Sequence, residues 1–293
     1  MAADLFREDE RFRALIAHAE TLVGRDLRTL CLRGPEKLLA RTDLLQPLLV
    51  AVSLGYHRRL VDRGITPDVV AGHSLGEITA LAAAGVVTDE TALTLAAWRG
   101  ELMQAAAADL DGGMLAVVTA RREEFLSWFA AAAPREVVIA NDNAPGQLVL
   151  SGRREILGEL AGRISAEGFG RHRLLDVAGS WHGPWMAEAR DHFGRRVGRI
   201  PFDHPRIPII MNSSGQSTID PEEIRNQVVE SIAAPVRWRE AMERLREMKV
   251  ATVLEVGPGR VLCGLARQNG FPATTRVFPV GSLPGVEAAA APT

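Results

Sequence analysis

The stretch "DVVAGHSLGEITALAAAGVV", residues 68–87, constrains the fold more than any other part of the chain. An apolar segment of strand type enters a Gly-x-Ser-x-Gly turn and leaves it as an Ala/Leu-rich helix. In such an elbow the residues two before and two after the serine must be small, so that strand and helix can close on each other. Gly72 and Gly76 meet this need. The pattern predicts an α/β protein with a parallel sheet, in which Ser74 is lifted out at a helix N-terminus.

The chemistry of the turn depends on what surrounds the Ser74 hydroxyl. At a helix N-terminus, the N–H of Leu75 and the helix dipole are placed to stabilise a negative oxygen. Because Gly-x-Ser-x-Gly also occurs by chance, a plain tight turn is the competing interpretation. The strand and helix predicted on either side favour Ser74 as an acyl-accepting nucleophile.

A serine nucleophile needs a base, and the chain offers seven histidines. The side chain of His73, which precedes the serine, is expected to point away and to pack. His182, in "GSWHGPW", lies where the chain enters a helix capped by Gly183 and Pro184, at a junction from which a side chain reaches the top of the sheet. On spacing alone it is one candidate among several. No aspartate is evident as a third member, so we expect a backbone carbonyl to orient the base.

The order of predicted elements indicates a large domain interrupted by a small one. From residue 114 to about residue 177 the pattern is β-α-β-β-α-β, the split ferredoxin-like order. We predict a large α/β-hydrolase-like domain formed by residues 1–111 and 179–285. The ferredoxin-like insertion is predicted over residues 112–178, and a disordered tail over residues 286–293.

Composition excludes several classes of function. A net charge of −2 argues against nucleic acid as the main partner, because phosphate binding needs a basic excess. The only cysteines, Cys31 and Cys263, lie far apart without metal-ligand spacing. The first ten residues carry five charges, and apolar runs end before a membrane-spanning length. We expect a cytoplasmic protein with no metal site and no membrane association.

Several motifs together resemble one family. "GHSLGE" is followed, in order and spacing, by "WRGELMQ", "NDNAPGQLVLSG", "SWHGPWM", "APVRW" and "EVGPGRVLCGL". This set is similar to malonyl-CoA:acyl-carrier-protein transacylases and to the acyltransferase domains of polyketide synthases, from about residue 3 to residue 270. The resemblance implies an α/β-hydrolase-like large domain with a ferredoxin-like insertion, in agreement with the pattern of elements.

The resemblance also implies roles for single residues. Ser74 would take a malonyl group from coenzyme A as an ester and pass it to the phosphopantetheine thiol of an acyl carrier protein. His182 would act as general base and acid, oriented by a backbone carbonyl near Ser231. Arg99, which the sequence alone indicates as an exposed helix arginine, would grip the malonyl carboxylate in a bidentate fork. Asn143 would fall in a loop of the pocket wall.

The resemblance implies a monomer that needs no cofactor beyond its substrates and has an acidic acyl carrier protein as its partner, in fatty-acid or polyketide synthesis. Two alternatives stay open. A serine acyl hydrolase of patatin or α/β-hydrolase type is disfavoured, because no acid is evident between Ser74 and His182 and Arg99 has no purpose in a lipase. The other alternative is an N-terminally truncated, impaired homologue that still binds the carrier.

The chain departs from the family at its beginning. The family opens with a strand and a Gly-Gln-Gly-Ser-Gln loop, whose first glutamine supplies a second oxyanion N–H, whereas this chain opens with "MAADLFRED". Loss of one oxyanion donor raises a barrier by roughly 2.7–4 kcal/mol. Either the true start lies upstream of Met1 or the enzyme is shortened and impaired. The intact spacing of Ser74, Arg99 and His182 favours the first hypothesis.

Overall fold

The computed structural model of the protein describes residues 1–108 and 110–291. The helices are α1 (Ala3–Glu8), α2 (Glu10–Val23), α3 (Leu27–Arg33), α4 (Glu36–Leu39), α5 (Thr42–Asp62), α6 (Gly76–Ala84), α7 (Asp89–Ala108), α8 (Arg122–Ala132), α9 (Arg154–Ala166), α10 (Ala187–Val197), α11 (Pro221–Glu230), α12 (Trp238–Glu247), α13 (Val261–Gln268) and α14 (Leu283–Ala290). The strands are β1 (Val70–Ala71), β2 (Gly112–Val118), β3 (Val137–Ala144), β4 (Gln147–Arg153), β5 (Arg171–Leu174), β6 (Ile209–Ile210), β7 (Ser217–Thr218), β8 (Thr252–Val256) and β9 (Arg276–Val280).

The strands form three sheets. Strand β1 pairs in parallel with β6, whose other neighbour is the antiparallel β7, and β8 pairs in parallel with β9. The antiparallel sheet has the order β3-β4-β2-β5. Its chain order, β2-α8-β3-β4-α9-β5, is the ferredoxin-like order, so the predicted α/β fold with this insertion is confirmed. The exact boundaries at residues 112 and 178 stay predictions.

The long helix α5 lies in the centre of the main core. It packs against α2, α6 and α7, and its apolar side chains, such as Leu48 and Leu54, are fully buried. Two glycines allow close helix packing. A Cβ at Gly100 of α7 would lie 2.6 Å from the Thr42 carbonyl oxygen at the start of α5, and a Cβ at Gly55 would lie 2.8 Å from the Phe12 ring. The first of these approaches brings the middle of α7 next to the N-terminal turns of α5.

The insertion is joined to the rest of the molecule through the end of β3. The Val236 N–H donates to the Ala140 carbonyl at 2.8 Å, and the Asp142 N–H donates to the Val236 carbonyl at 2.9 Å. The Asp142 carboxylate also accepts from Arg122 at 2.7 Å and from Arg239 of α12 at 3.0 Å. The bonds to Val236 and Arg239 fix the last residues of β3 against the large part of the molecule, whereas Arg122 belongs to the insertion itself.

The predicted disordered tail is wrong for residues 286–290, which belong to α14. The Ser282 side chain caps this helix by accepting from the Gly285 N–H at 3.2 Å, and Val286 is packed into the main core with 1% of its surface exposed. The composition of the tail indicated disorder. It could not reveal that Val286 packs against core residues distant in the sequence. Residues 292–293 of the predicted tail lie outside the described residues.

Within the described part of the chain, no helix combines the length and apolarity that crossing a membrane requires. Cys31 and Cys263 are both buried free thiols.

Candidate active site

Ser74 lies in the turn between β1 and α6, with a left-handed backbone conformation of φ 49°. The turn is so tight that a Cβ at Gly72 would lie 2.0 Å from the Gly76 carbonyl carbon. Glycine is therefore required at position 72. At Gly76, by contrast, an added Cβ would meet no atom within 4 Å. The expectation that both flanking positions must be small thus holds on the strand side only.

The Ser74 hydroxyl is hydrogen-bonded to His182. The distance from Ser74 Oγ to His182 Nε2 is 2.8 Å, and His182 Nδ1 lies 2.9 Å from the Ser231 carbonyl and 3.2 Å from the Ala234 carbonyl. Carbonyl oxygens only accept, so Nδ1 carries the proton and Nε2 presents a lone pair to the serine. The chain thus brings together Ser74, His182 and the Ser231 carbonyl, with the Ala234 carbonyl as an additional partner.

His182 is itself held in an unusual position. It has a left-handed φ of 59°, and only 3% of its surface is exposed. Burial, the charge of Arg99 and the proximity of His73 lower the pKa of His182 to about 3, although its carbonyl partners act in the opposite direction. The imidazole is therefore neutral at neutral pH, which is the form that a general base requires.

Arg99 projects from α7 into the same site. Its Nη2 donates to Ser74 Oγ at 3.1 Å and its Nη1 donates to Gln46 Oε1 at 2.8 Å. The side chain is 2% exposed, so the interpretation as an exposed helix arginine is wrong. Burial lowers the pKa of Arg99 to about 10, partly offset by the charge of Glu77, and the guanidinium stays protonated at neutral pH.

No carboxylate forms an ion pair with Arg99 within the described residues. Its two contacts are with neutral groups, the Ser74 hydroxyl and the Gln46 amide. Gln46 was not predicted from the sequence. Its Nε2 donates to Thr42 Oγ1 at 2.7 Å, which fixes the amide so that its oxygen faces Arg99. A buried cation without a carboxylate partner is an electrostatic site for an anion.

The turn is also tied to the neighbouring strand by Asn212, which sequence reasoning missed. The Ser74 N–H donates to Asn212 Oδ1 at 3.0 Å, and Asn212 Nδ2 donates to the Gly72 carbonyl at 2.9 Å. The Asn212 N–H in turn donates to Glu77 Oε1 at 2.8 Å. Burial raises the pKa of Glu77. The one sequence signal that pointed to this network was Glu77, the single acidic residue of the largely apolar helix α6.

His73 points away from Ser74, as expected, and packs edge-on against Trp238 with ring centroids 5.3 Å apart. Its Nε2 lies 2.8 Å from Asn143 Oδ1. Asn143 belongs to β3 and not to a loop, because the strand continues through register shifts to Ala144. Its carbonyl accepts from Asn269 at 2.9 Å. Asn143 therefore lies beside the turn, in contact with the residue before the serine.

The N–H of Leu75 is the donor next to the nucleophile. Leu75 precedes α6, and its amide donates to no acceptor among the described residues. This amide is available to a carbonyl oxygen of an acyl group on Ser74, and its role as oxyanion donor stays a prediction. Within residues 1–108 and 110–291, no group of three or more His, Cys, Asp or Glu side chains is arranged to hold a metal ion.

A serine at a helix N-terminus, hydrogen-bonded to a buried histidine, is an arrangement for acyl transfer through a serine ester. Comparison with known proteins agrees: residues 1–273 match the family model described as "Acyl transferase domain". The chain belongs to the acyl transferase family. It is 34% identical over 251 residues to the malonyl CoA-acyl carrier protein transacylase of Synechocystis sp. (strain ATCC 27184 / PCC 6803 / Kazusa), covering 86% of this chain and 83% of that protein.

A second relative is much longer than this chain. The polyketide biosynthesis protein ThaF of Burkholderia thailandensis is 36% identical over 269 residues, which cover 92% of this acyl transferase but 23% of ThaF. Among solved structures, a type II PKS acyl-carrier protein in complex with its malonyl-transacylase (PlMCAT:AntF) aligns with a TM-score of 0.91 and 33% identity. That alignment covers 99% of this chain and 94% of the solved one.

Proposed function

We propose that this acyl transferase moves a malonyl group from malonyl-CoA to the phosphopantetheine thiol of an acyl carrier protein, through an ester on Ser74. The observation that carries the proposal is the buried guanidinium of Arg99, 3.1 Å from Ser74 Oγ and without a carboxylate partner in the described chain. A fixed cation beside the nucleophile favours an acyl group that ends in a carboxylate. The names of the related transacylases support the same substrate.

In the first half-reaction, His182 Nε2 takes the proton of Ser74 Oγ as that oxygen attacks the malonyl thioester carbonyl. The carbonyl oxygen becomes negative and faces the Leu75 N–H. The carbon–sulfur bond then breaks, and the imidazolium of His182 gives its proton to the departing thiolate of coenzyme A. The malonyl group is left as an ester on Ser74, and His182 is neutral again.

In the second half-reaction, the phosphopantetheine thiol of the carrier takes the place that coenzyme A has left. His182 accepts the thiol proton as the sulfur attacks the ester carbonyl, and then returns that proton to Ser74 Oγ when the ester bond breaks. The carbonyls of Ser231 and Ala234 stabilise the transient imidazolium by accepting from Nδ1–H. A carboxylate is not required for this role, because the proton stays on the ring.

We further propose that the carrier is acidic and that the enzyme is a cytoplasmic monomer without a cofactor beyond its substrates, with no nucleic acid or membrane as a partner. Exposed arginines support an acidic carrier. Arg171 and Arg173 on the edge strand β5, and Arg195 and Arg199 on and just after α10, have no ion-pair partner in the described part of the chain. Two free buried cysteines fit a reducing compartment.

The test is to incubate the purified protein with malonyl-CoA and to weigh the intact chain, with Ser74→Ala as control. The expected result is one malonyl adduct, absent in the variant, that moves to a holo acyl carrier protein when the carrier is added. A folded protein that forms no adduct would overturn the proposal. An adduct that is lost as fast in the absence of the carrier as in its presence would instead establish the alternative function, a serine acyl hydrolase.

A further inference from the structure

Ser74 and His182 are two of the four non-glycine residues with positive φ in the described chain. L-residues rarely adopt this conformation, and they keep it only where the surrounding structure holds them there. His182 is held by two carbonyls on its ring and by its buried position. The question is which groups hold Ser74, since its hydroxyl bonds only to the reactive partners His182 and Arg99.

The backbone of Ser74 is held by a side chain from a distant strand. Its N–H donates to Asn212 Oδ1, and the same amide donates from Nδ2 to the Gly72 carbonyl two residues earlier. One side chain therefore binds the turn on both sides of the serine. Asn212 is 3% exposed and directly follows the β6–Met211 segment beside β1, so it has little freedom to move.

Asn212 is fixed in turn by Glu77, on the first turn of α6. Glu77 Oε1 accepts from the Asn212 N–H at 2.8 Å, while the Glu77 N–H donates to the Ser74 carbonyl at 3.1 Å. The serine, the asparagine and the glutamate thus form a closed ring of hydrogen bonds. Glu77 is 1% exposed, and its Oε2 has no hydrogen-bond partner in the described chain. Burying a carboxyl group with one oxygen unpaired costs free energy, which the hydrogen bond with Asn212 and the charge of Arg99 offset only in part.

We propose that Asn212 and Glu77 are a positioning pair that holds Ser74 in its left-handed conformation, with its hydroxyl between His182 and Arg99. The proposal rests on the proposed function for its effect on malonyl transfer. Neither residue touches the substrate or the reacting atoms. Their effect is on the rate of Ser74 acylation, because a misplacement of about 1 Å in a reacting group lowers a rate by about 100-fold.

The first test is single-turnover malonylation of Asn212→Ala, followed by intact mass. We expect the maximal acylation rate to fall by about 10- to 100-fold. The malonyl-CoA concentration for half-maximal rate should stay within about twofold, because Arg99 and Gln46 are untouched. Leu157→Ala, a truncation in the core of the insertion, is the control for lost stability and should acylate at the wild-type rate per folded molecule.

The second test separates a hydrogen bond from general damage at Glu77. Glu77→Gln keeps an oxygen acceptor for the Asn212 N–H and should acylate within about threefold of wild type, whereas Glu77→Ala should fall as far as Asn212→Ala. This pair of variants also tests the proposal if Asn212→Ala does not fold. Equal losses in Glu77→Gln and Glu77→Ala would overturn it.

The third measurement does not depend on malonyl-CoA. The Ser74 N–H donates to a side chain alone, so hydrogen exchange of a peptide covering residues 72–76 should become faster in Asn212→Ala and stay unchanged in Leu157→Ala. Unchanged exchange, or a wild-type acylation rate in Asn212→Ala, would refute the positioning pair. Wild-type protein that forms no adduct but shows this exchange pattern would refute only the proposed function.

Discussion

Replacing Arg99 by methionine should abolish the preference for a malonyl group. Methionine keeps much of the buried aliphatic volume and removes the charge and both donors. The guanidinium is 2% exposed and makes no ion pair in the described chain, so a malonyl carboxylate bound there would be a desolvated, charge-assisted partner. Truncating one member of such a pair costs about 2–5 kcal/mol, which corresponds to a fall of roughly 30- to 5,000-fold in kcat/KM for malonyl-CoA.

Acetyl-CoA provides the internal comparison, because its acyl group has no carboxylate to lose. Arg99→Met also leaves Gln46 Oε1 without its donor and removes one hydrogen bond from Ser74 Oγ. These are losses of the free enzyme, which is the common reference state for both substrates, so they cancel in the ratio of the two kcat/KM values. The ratio therefore isolates the interaction between the carboxylate and the guanidinium, and it should fall by the full roughly 30- to 5,000-fold.

The assay is single-turnover acylation with each thioester, measured by intact mass. Arg11→Met is the matched control, since Arg11 is an exposed arginine on α2 that pairs with Asp62, and the ratio should not change there. If Arg99→Met keeps the wild-type preference for malonyl-CoA over acetyl-CoA, the assignment of Arg99 as the carboxylate site is refuted.

Three further predictions concern the turn and the base. Gly72→Ala should unfold the turn or lose acylation, because its Cβ would lie 2.0 Å from the Gly76 carbonyl carbon. Gly76→Ala, whose Cβ meets no atom within 4 Å, should fold and melt near the wild-type temperature. A Gly72→Ala variant as stable and active as wild type would contradict this geometry. The acylation rate should fall on acidification at a higher pH in the malonyl complex than in the acetyl complex. Besides burial, the charge of Arg99 lowers the pKa of His182, and the malonyl carboxylate offsets that charge. Rapid-quench profiles that fall at the same pH for both substrates would exclude this effect of the carboxylate on His182. The pKa of His182 lies near 3 in the folded chain against 6.5 without the fold, so the unfolded state binds the extra proton between these values. Stability should therefore fall as the pH drops below about 6.5, by up to ~1.4 kcal/mol per unit from this group, and urea unfolding of His182→Ala should lack that part of the slope.

The parts of the fold and site that the sequence predicted are those with local signals. The strand, the glycine and the helix around Ser74 are contiguous, and the alternation of strands and helices from β2 to β5 identified the insertion. The resemblance to a family named four groups that meet in the structure. Ser74 Oγ is hydrogen-bonded to both His182 and Arg99, and His182 is hydrogen-bonded to the Ser231 carbonyl.

The residues that were missed act over long distances in the chain. Asn212 lies 138 positions from Ser74, and Gln46 lies 53 positions from Arg99. Nothing in a short window distinguishes either amide from a surface residue. The burial of Arg99 was missed for the same reason, because it follows from Gly100 allowing α7 to approach the Thr42 carbonyl at the start of α5.

Under the proposed function, the charges of the site let one arginine act in both half-reactions. Before acylation, Arg99 Nη2 donates to Ser74 Oγ, and burial together with the charge of Arg99 keeps His182 neutral by lowering its pKa. If Arg99 binds the malonyl carboxylate as proposed, the guanidinium gains a stronger acceptor than the Ser74 hydroxyl. We then expect Ser74 Oγ to be released towards His182, with its own lone pair free to react. In the ester we expect the carboxylate to remain next to Arg99 and so to hold the ester carbonyl in one position in front of His182. An acetyl ester lacks this anchor, so we expect selectivity to be exercised twice, once when the acyl group is loaded and again when it is passed to the carrier.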